Sequence, residues 1–574
     1  MRTWLAAGFL LATFAGQALV AVRRDSVTVD EFLHLPVGLH VLYTGDFRQD
    51  PIDPHVPLAF AALPLLANPP SFSPPPDANG FEIAYHFMAM NGARYQEIFE
   101  SARMMIILVA LAAAIVAARW GSDLYGEGAG LATLGLFAFS PSLLAHGHLV
   151  TLDMAGTLGV LLALYANWRF LDSPTWRRAA VVGVAMGFAN LLKLSGVALV
   201  AMVLATWLVR AVAERRGGSS WQRWSMLLGV TGLAAIVTLN IGYGFDGTFG
   251  LLREATLAPG GILARLAAAV PSLRLPFPRP FLDGVDMVLE VGKGHDPSYF
   301  LNGQLSADGW WYYHLAAFAA KCPLPVLLGS FFAVGAWLSG RSPGVRDYAL
   351  FLPVVVLFAM NSAFNSLDIG ERHVLAAYPL LFIAISPWIA GALSPVVARL
   401  RTEKQEAVAS PEGGDDESVP AATLRCAWPA AVVTAVLALW YVAGTLWVAP
   451  RYIQYFNELA GGPEGGHRVL VDSNIDWGQD LIRLREYMDA NHVDKVALAY
   501  FGRVDPAIYG IRFTPLEKDA AHGTVAISAS FLMGRPYFWF LGGRMRWVPS
   551  RTYTWLQAER PVARVGSMFV YDLP

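Results

Sequence analysis

The chain has 574 residues, 55% of them hydrophobic and only 15% charged, with a formal net charge of −2. Soluble domains carry about 25% charged residues, so the composition excludes an ordinary soluble protein, and the absence of a basic excess argues against a nucleic-acid partner. Two cysteines far apart in the chain, Cys322 and Cys426, support neither a disulfide framework nor a thiolate metal site.

The apolar residues fall in blocks such as Thr3–Val22, Met104–Ala118, Leu131–Leu144 and Ala430–Val448. Blocks approaching 20 residues match the thickness of a bilayer. The first lacks a convincing basic n-region and is followed by many more, so it reads as a transmembrane helix rather than a cleavable signal. In chain order, spans are predicted at 3–22, 102–118, 128–145, 152–170, 178–192, 195–212, 224–243, 311–338, 347–364, 373–396 and 427–448. This is a polytopic α-helical membrane protein of about eleven spans, the fifth and sixth of which are short enough to be one broken helix.

Direction follows from the basic residues of the short loops. With the N-terminus inside, the cytoplasmic segments hold Arg119, Arg169, Arg177, Arg178, Arg210, Arg215, Arg223, Arg399, Arg401 and Lys404 among others, and the opposite short segments hold only Lys193 and Arg372. Arg23 and Arg24 run against this bias, but they open a long loop that the rule weighs little. The outer face then carries loops 23–100 and 244–310 and everything after the last span. The polar stretch Ala398–Leu424, with Pro411 and Asp415-Asp-Glu417, reads as a cytoplasmic linker. Residues 1–448 form a membrane module and 449–574 an extracytoplasmic domain. In the latter, short apolar runs at Val496–Phe501, Val525–Phe531 and Val565–Tyr571 predict strands, and Leu481, Leu484, Tyr487 and Met488 recur at helical spacing, which together predict a small α/β domain.

Ionisable residues at membrane depth are site candidates. Asp30 and Glu31 lie just beyond the first span, where one of two adjacent carboxylates can act as a general base; the alternative is a capping box on Thr28 with Glu31 at its third position. Lys193 and Arg372 fall at the outer interface with Arg103, a set suited to a lipid phosphate, against the alternative of interfacial snorkelling. His146, His148 and Asp153 share a short outer turn; they match no standard metal-ligand spacing and read as polar residues lining a cavity, with Asp153 the foremost. The densest polar cluster, Asp472-Ser-Asn-Ile-Asp-Trp-Gly-Gln-Asp480, is either a turn leading into a helix or a sugar-binding loop with Trp477 as stacking face and Asp476 binding hydroxyls.

Taken in succession, the Asp30-Glu31 pair, Leu149-Val-Thr-Leu-Asp153, Lys193-Leu-Ser195, Gly309-Trp-Trp-Tyr-Tyr313, Lys321-Cys-Pro-Leu-Pro325 and Glu371-Arg-His-Val-Leu-Ala-Ala-Tyr-Pro379 resemble the GT-C superfamily. Within it the chain is similar to bacterial phospholipid-carrier-dependent glycosyltransferases related to protein O-mannosyltransferases and the lipid A aminoarabinose transferase. Tyr455-Phe-Asn-Glu-Leu-Ala-Gly-Gly462 resembles a subgroup with a C-terminal extracytoplasmic domain. The resemblance implies inverting transfer of a sugar from a polyprenyl phosphate to an acceptor outside the cytoplasm, in the cell (inner) membrane. Asp30 then maps to the catalytic first-loop carboxylate, and no metal or other cofactor is expected. No β-trefoil insert is recognisable in loop 244–310, which leaves glycan, lipid and protein acceptors open. The competing readings are a lipid-linked-sugar transporter or flippase, which needs charged features in both halves of the bilayer, and a non-catalytic scaffold that binds envelope glycans.

Overall fold

The computed structural model describes residues 2–215, 221–291, 299–340, 348–364, 367–406, 421–518, 521–541 and 544–574. Much of the linker predicted at 398–424 lies outside the described residues. All eleven predicted spans are helical, but they are not eleven equal rods. Among the described residues, seven helices are long and apolar enough to cross a membrane, and eight if one bent pair counts as a span. That pair, Tyr313–Lys321 and Leu324–Leu338, turns by 119° at Cys322-Pro323, where proline lacks the amide that would continue the ladder. The segment predicted at 128–145 breaks likewise into Glu127–Ala138 and Pro141–His146, and those at 178–192 and 347–364 become helices of 17 residues each.

Close packing of the bundle rests on small residues. Helix Trp176–Leu192 lies on Trp221–Gly242 through Gly183 and Gly187; a Cβ on Gly187 would approach the Ala235 carbonyl oxygen to 2.6 Å. Small residues four apart let two backbones meet where lipid supplies no hydrophobic drive. The predicted break between the fifth and sixth spans is real: helix Trp176–Leu192 ends at Lys193, whose backbone is extended, and a 3-10 turn Leu194–Val197 leads into Ala198–Arg215.

The C-terminal region carries a five-stranded sheet in the order Phe513–Pro515, Val496–Ala499, Gly523–Ser528, Met568–Leu573, Ala563–Val565. The first three strands are parallel and the last two join antiparallel. Helix Leu481–Ala490 buries Leu481, Leu484 and Met488, as the spacing predicts. This domain is not a free appendage. Its core continues into Leu301, Tyr313, Ala317 and Ala320, while Tyr452, Ile453 and Trp477 belong to the core of the helical bundle. The site sits along this seam.

Candidate active site at the seam

Helix Val29–Thr44 presents Asp30 and Glu31 from adjacent positions in its first turn, so the two carboxylates point in different directions. Glu31 turns inward. Its Oε1 accepts from Arg103 Nε at 2.8 Å and Val150 N at 2.9 Å; its Oε2 accepts from Arg103 Nη2 at 2.6 Å, Thr28 Oγ1 at 3.0 Å and Thr28 N at 3.1 Å. Burial works to raise its pKa, but Arg103 and these hydrogen bonds outweigh it and hold the carboxyl below the usual range. The capping-box alternative therefore describes Glu31, and its candidacy as a base is corrected: every lone pair is taken and no solvent reaches it. Arg103 is corrected with it. The remaining donors of its fully buried guanidinium go to the carbonyls of Val22, Asp25 and Ser26, so it offers nothing to a lipid phosphate.

Asp30 points the other way and keeps 23% of its side chain exposed, in an ion pair with Arg372. Arg372 lies in the 3-10 turn Glu371–Val374 that precedes helix Ala377–Glu406. Its guanidinium stands 4.5 Å from the centre of the Trp477 ring and 3.8 Å from Asp153 Oδ2. Asp153 Oδ1 also accepts from Lys193 Nζ at 2.6 Å. Asp153 opens helix Asp153–Asp172, where the helix dipole favours a carboxylate, and from there it orients both cations. Gly156, one turn on, leaves room for the lysine: a Cβ there would meet Lys193 Cδ at 2.8 Å. The structure thus brings Asp30, Asp153, Lys193 and Arg372, spread over more than 340 residues of chain, into one cluster.

Beside Lys193 and Arg372 opens a small pocket of mixed lining, with Asp153, Lys193, Ser195, Arg372 and His373 as its polar residues and Val160, Leu199, Met202 and Leu357 among its apolar ones. Ser195 and His373 were not singled out in the sequence, although Lys193-Leu-Ser195 and Arg372-His373 hold them next to residues that were.

The other predicted binding residues act as structure. His148 is fully buried; its Nδ1 faces the Leu144 carbonyl at 2.7 Å and its Nε2 faces Asp25 at 2.9 Å, so it lines no cavity. Trp477 is 1% exposed and carries Arg372 on its ring, which corrects its reading as a sugar-stacking face. Asp476 is corrected too: its Oδ2 accepts from the Ser530 amide and the side chain is buried, which pushes its pKa up to about 7. Asp472 pairs with Arg535, and Asp480 binds Arg483, Gln454 and Ser567. Arg483 reaches on to Asp25 at 2.7 Å. The cluster 472–480 is therefore the fastening between domain and bundle, which is the turn alternative and not the sugar loop.

One group escaped the sequence reading. His34, Asp50 and Asp53 place ligand atoms within 4.8 Å of one another, and among the described residues this is the set able to hold a metal ion. Asp50-Pro-Ile-Asp53 was legible as an acidic run in the first loop, but its partner His34 lies on the helix before it. His34 donates from Nδ1 to Val150 O at 2.9 Å and faces Asp53 with Nε2 at 3.1 Å. Burial alone would lower its pKa; Asp53, with help from Asp30 and Asp50, lifts it to about 10. The imidazolium then offsets the charge of Asp53, its hydrogen-bond partner.

The family model for dolichyl-phosphate-mannose-protein mannosyltransferase matches residues 94–241, which include Asp153 and Lys193. No curated protein matches the chain. Among solved structures, ArnT from Cupriavidus metallidurans in the apo state is 13% identical, covering 99% of this chain and 97% of its own, with a TM-score of 0.46. The same protein bound to undecaprenyl phosphate is 14% identical over the same shares, at 0.44. The archaeal oligosaccharyltransferase AglB from Archaeoglobus fulgidus, in complex with an inhibitory peptide and a dolichol-phosphate, is 11% identical over 96% of this chain and 75% of its own, at 0.45.

Proposed function

We propose, from the kinship of residues 94–241 with the mannosyltransferase family, that this multi-pass membrane protein is a GT-C glycosyltransferase using a polyprenyl-phosphate sugar. The observation that carries the reading is the Asp30–Arg372–Asp153–Lys193 cluster, three of whose members line a pocket that also has apolar residues. Lys193 and Arg372 suit the phosphate of a prenyl carrier.

Asp30 accepts the proton of the acceptor hydroxyl as its oxygen attacks the anomeric carbon in line with the departing phosphate, which inverts the configuration. The C–O bond to phosphate breaks, and the electron pair leaves with a group that needs no protonation. Lys193 and Arg372 stabilise the charge that develops. Arriving phosphate competes with Asp30 for Arg372, so donor binding itself loosens the ion pair that occupies the base. A lipid monophosphate leaving group whose charge is met by Lys193 and Arg372 does not of itself call for a metal. The bias of basic residues supports an orientation with this end of the bundle outside the cytoplasm, in the cell membrane, where the acceptor would arrive as glycan, lipid or protein.

Transfer in vitro from a panel of polyprenyl-phosphate sugars, with and without EDTA, tests this. Product from wild-type protein, a rate lower by a factor on the order of 10² to 10⁴ from Asp30→Asn and no effect of EDTA are expected. Transport of the lipid-linked sugar across the bilayer without covalent product would favour the flippase reading instead.

A further inference from the structure

Around Asp30 the guanidinium groups of Arg103, Arg372, Arg483 and Arg535 each meet a carboxylate. Arg503 does not. It follows strand Val496–Ala499, at the carboxyl end of a central parallel strand, which is where crevices open in such sheets. Its Cζ lies 4.5 Å from the centre of the Phe81 ring and 5.6 Å from that of Tyr537. Nε donates to Tyr537 Oη at 3.2 Å and Nη1 to Tyr85 Oη at 3.4 Å. Both partners are neutral phenols, and Nη2 has no acceptor among the described residues. A half-buried cation without a counter-ion is costly to hold unless a ligand supplies the charge.

The surroundings say where that ligand lies. Phe81 is 42% exposed, and Tyr85 packs at 4.8 Å on Phe32, two residues from Asp30. The aromatic wall thus comes from the first loop and the C-terminal domain, and Phe32 joins it to helix Val29–Thr44, which carries the proposed base. It has the faces that pyranose rings stack on and a planar fork that takes a carboxylate or phosphate bidentately. The lipid phosphate has its own cations, Lys193 and Arg372, which line a separate pocket.

We propose that Arg503, flanked by Phe81 and Tyr537, binds the anionic substituent of an acidic saccharide and so selects the acceptor; this rests on the transferase reading above. Acidity is read by Arg503 and the sugar ring by the aromatic faces, which leaves a hydroxyl to point at Asp30.

The test titrates full-length protein in nanodiscs, without donor, with tri-galacturonic acid, mannose 6-phosphate, maltotriose and inorganic phosphate. A separate titration with undecaprenyl phosphate addresses the transferase reading alone. At least one acidic saccharide should bind about tenfold or more tightly than maltotriose and than inorganic phosphate, and which of the two does so identifies carboxylate or phosphate as the group read. Arg503→Gln should abolish that preference at unchanged melting temperature and unchanged undecaprenyl phosphate affinity, and Arg503→Lys should keep part of it. The proposal is overturned if neither acidic saccharide binds, if maltotriose binds as well, if inorganic phosphate alone binds as tightly, or if a folded Arg503→Gln or Arg503→Lys protein keeps the full preference. Loss of undecaprenyl phosphate binding in wild-type protein would instead strike the transferase reading.

Discussion

Two adjacent carboxylates, Asp30 and Glu31, have opposite fates because a helix turns successive side chains about 100° apart. Asp30→Asn should lower turnover by a factor on the order of 10² to 10⁴, the usual worth of a general base, with donor affinity little changed. Single-turnover kinetics with pre-bound donor would show it, and full activity in the mutant would remove Asp30 from the reaction. Lys193→Ala or Arg372→Ala removes a charge-assisted contact worth about 1.5–3 kcal/mol, or roughly one to two powers of ten in polyprenyl-phosphate affinity. Snorkelling cations would instead change insertion and leave affinity alone. Arg103→Ala makes the contrast. It strands Glu31 buried and unpaired, which costs about 3–5 kcal/mol, so yield and melting temperature should fall rather than donor affinity.

Elements position these groups through backbone breaks and small residues. Lys193 reaches Asp153 because helix Trp176–Leu192 stops at it and Gly156 leaves space across the gap. Gly156→Ala puts a methyl into the lysine stem, so turnover should drop by about tenfold to a hundredfold, the cost of an ångström-scale misplacement. Donor-binding and turnover assays on folded protein decide it; wild-type values in both would show that Lys193 does not depend on that space. In the fastening loop, Asp476 is held near pKa 7 against an ordinary value of 3.8. Its folded-state pKa is raised, so its contribution to stability is full below about pH 4 and is lost as pH rises through about 7. Asn mimics the neutral form, because Ser567 gives its one hydroxyl proton to Asp480 and can accept from an amide at the Asp476 Oδ1 position, 3.3 Å away. Asp476→Asn should therefore gain melting temperature over wild type above about pH 7 and not near pH 4, and a difference independent of pH would refute the assignment.

For the whole molecule the prediction is direction. A single cysteine at Lys495, in a background lacking Cys322 and Cys426, should react with an impermeant maleimide on intact cells, and one at Ser173 only after permeabilisation. Reversed labelling would put the cluster on the cytoplasmic side and exclude an extracytoplasmic acceptor. The seam gives this topology its purpose: the domain shares core packing with Tyr313 and Ala317, and Asn474 binds the Glu371 amide at 3.0 Å, so it braces the turn that carries Arg372.

The sequence by itself determined the membrane class, the helical segments, the strand-bearing C-terminal region and the candidacy of Asp30, Lys193, Asp153 and Arg372, because apolar run length, period and charges at apolar depth are local signals. It did not determine which candidates face a cavity. Arg103, His148, Asp476 and Trp477 carry the same residue types as the retained ones, yet each finds partners far along the chain that use up its donors or cover its face. His34 with Asp53 and Arg503 with Tyr85 were invisible for the same reason. Exposure and pairing depend on which distant segments meet, and only the tertiary structure decides that.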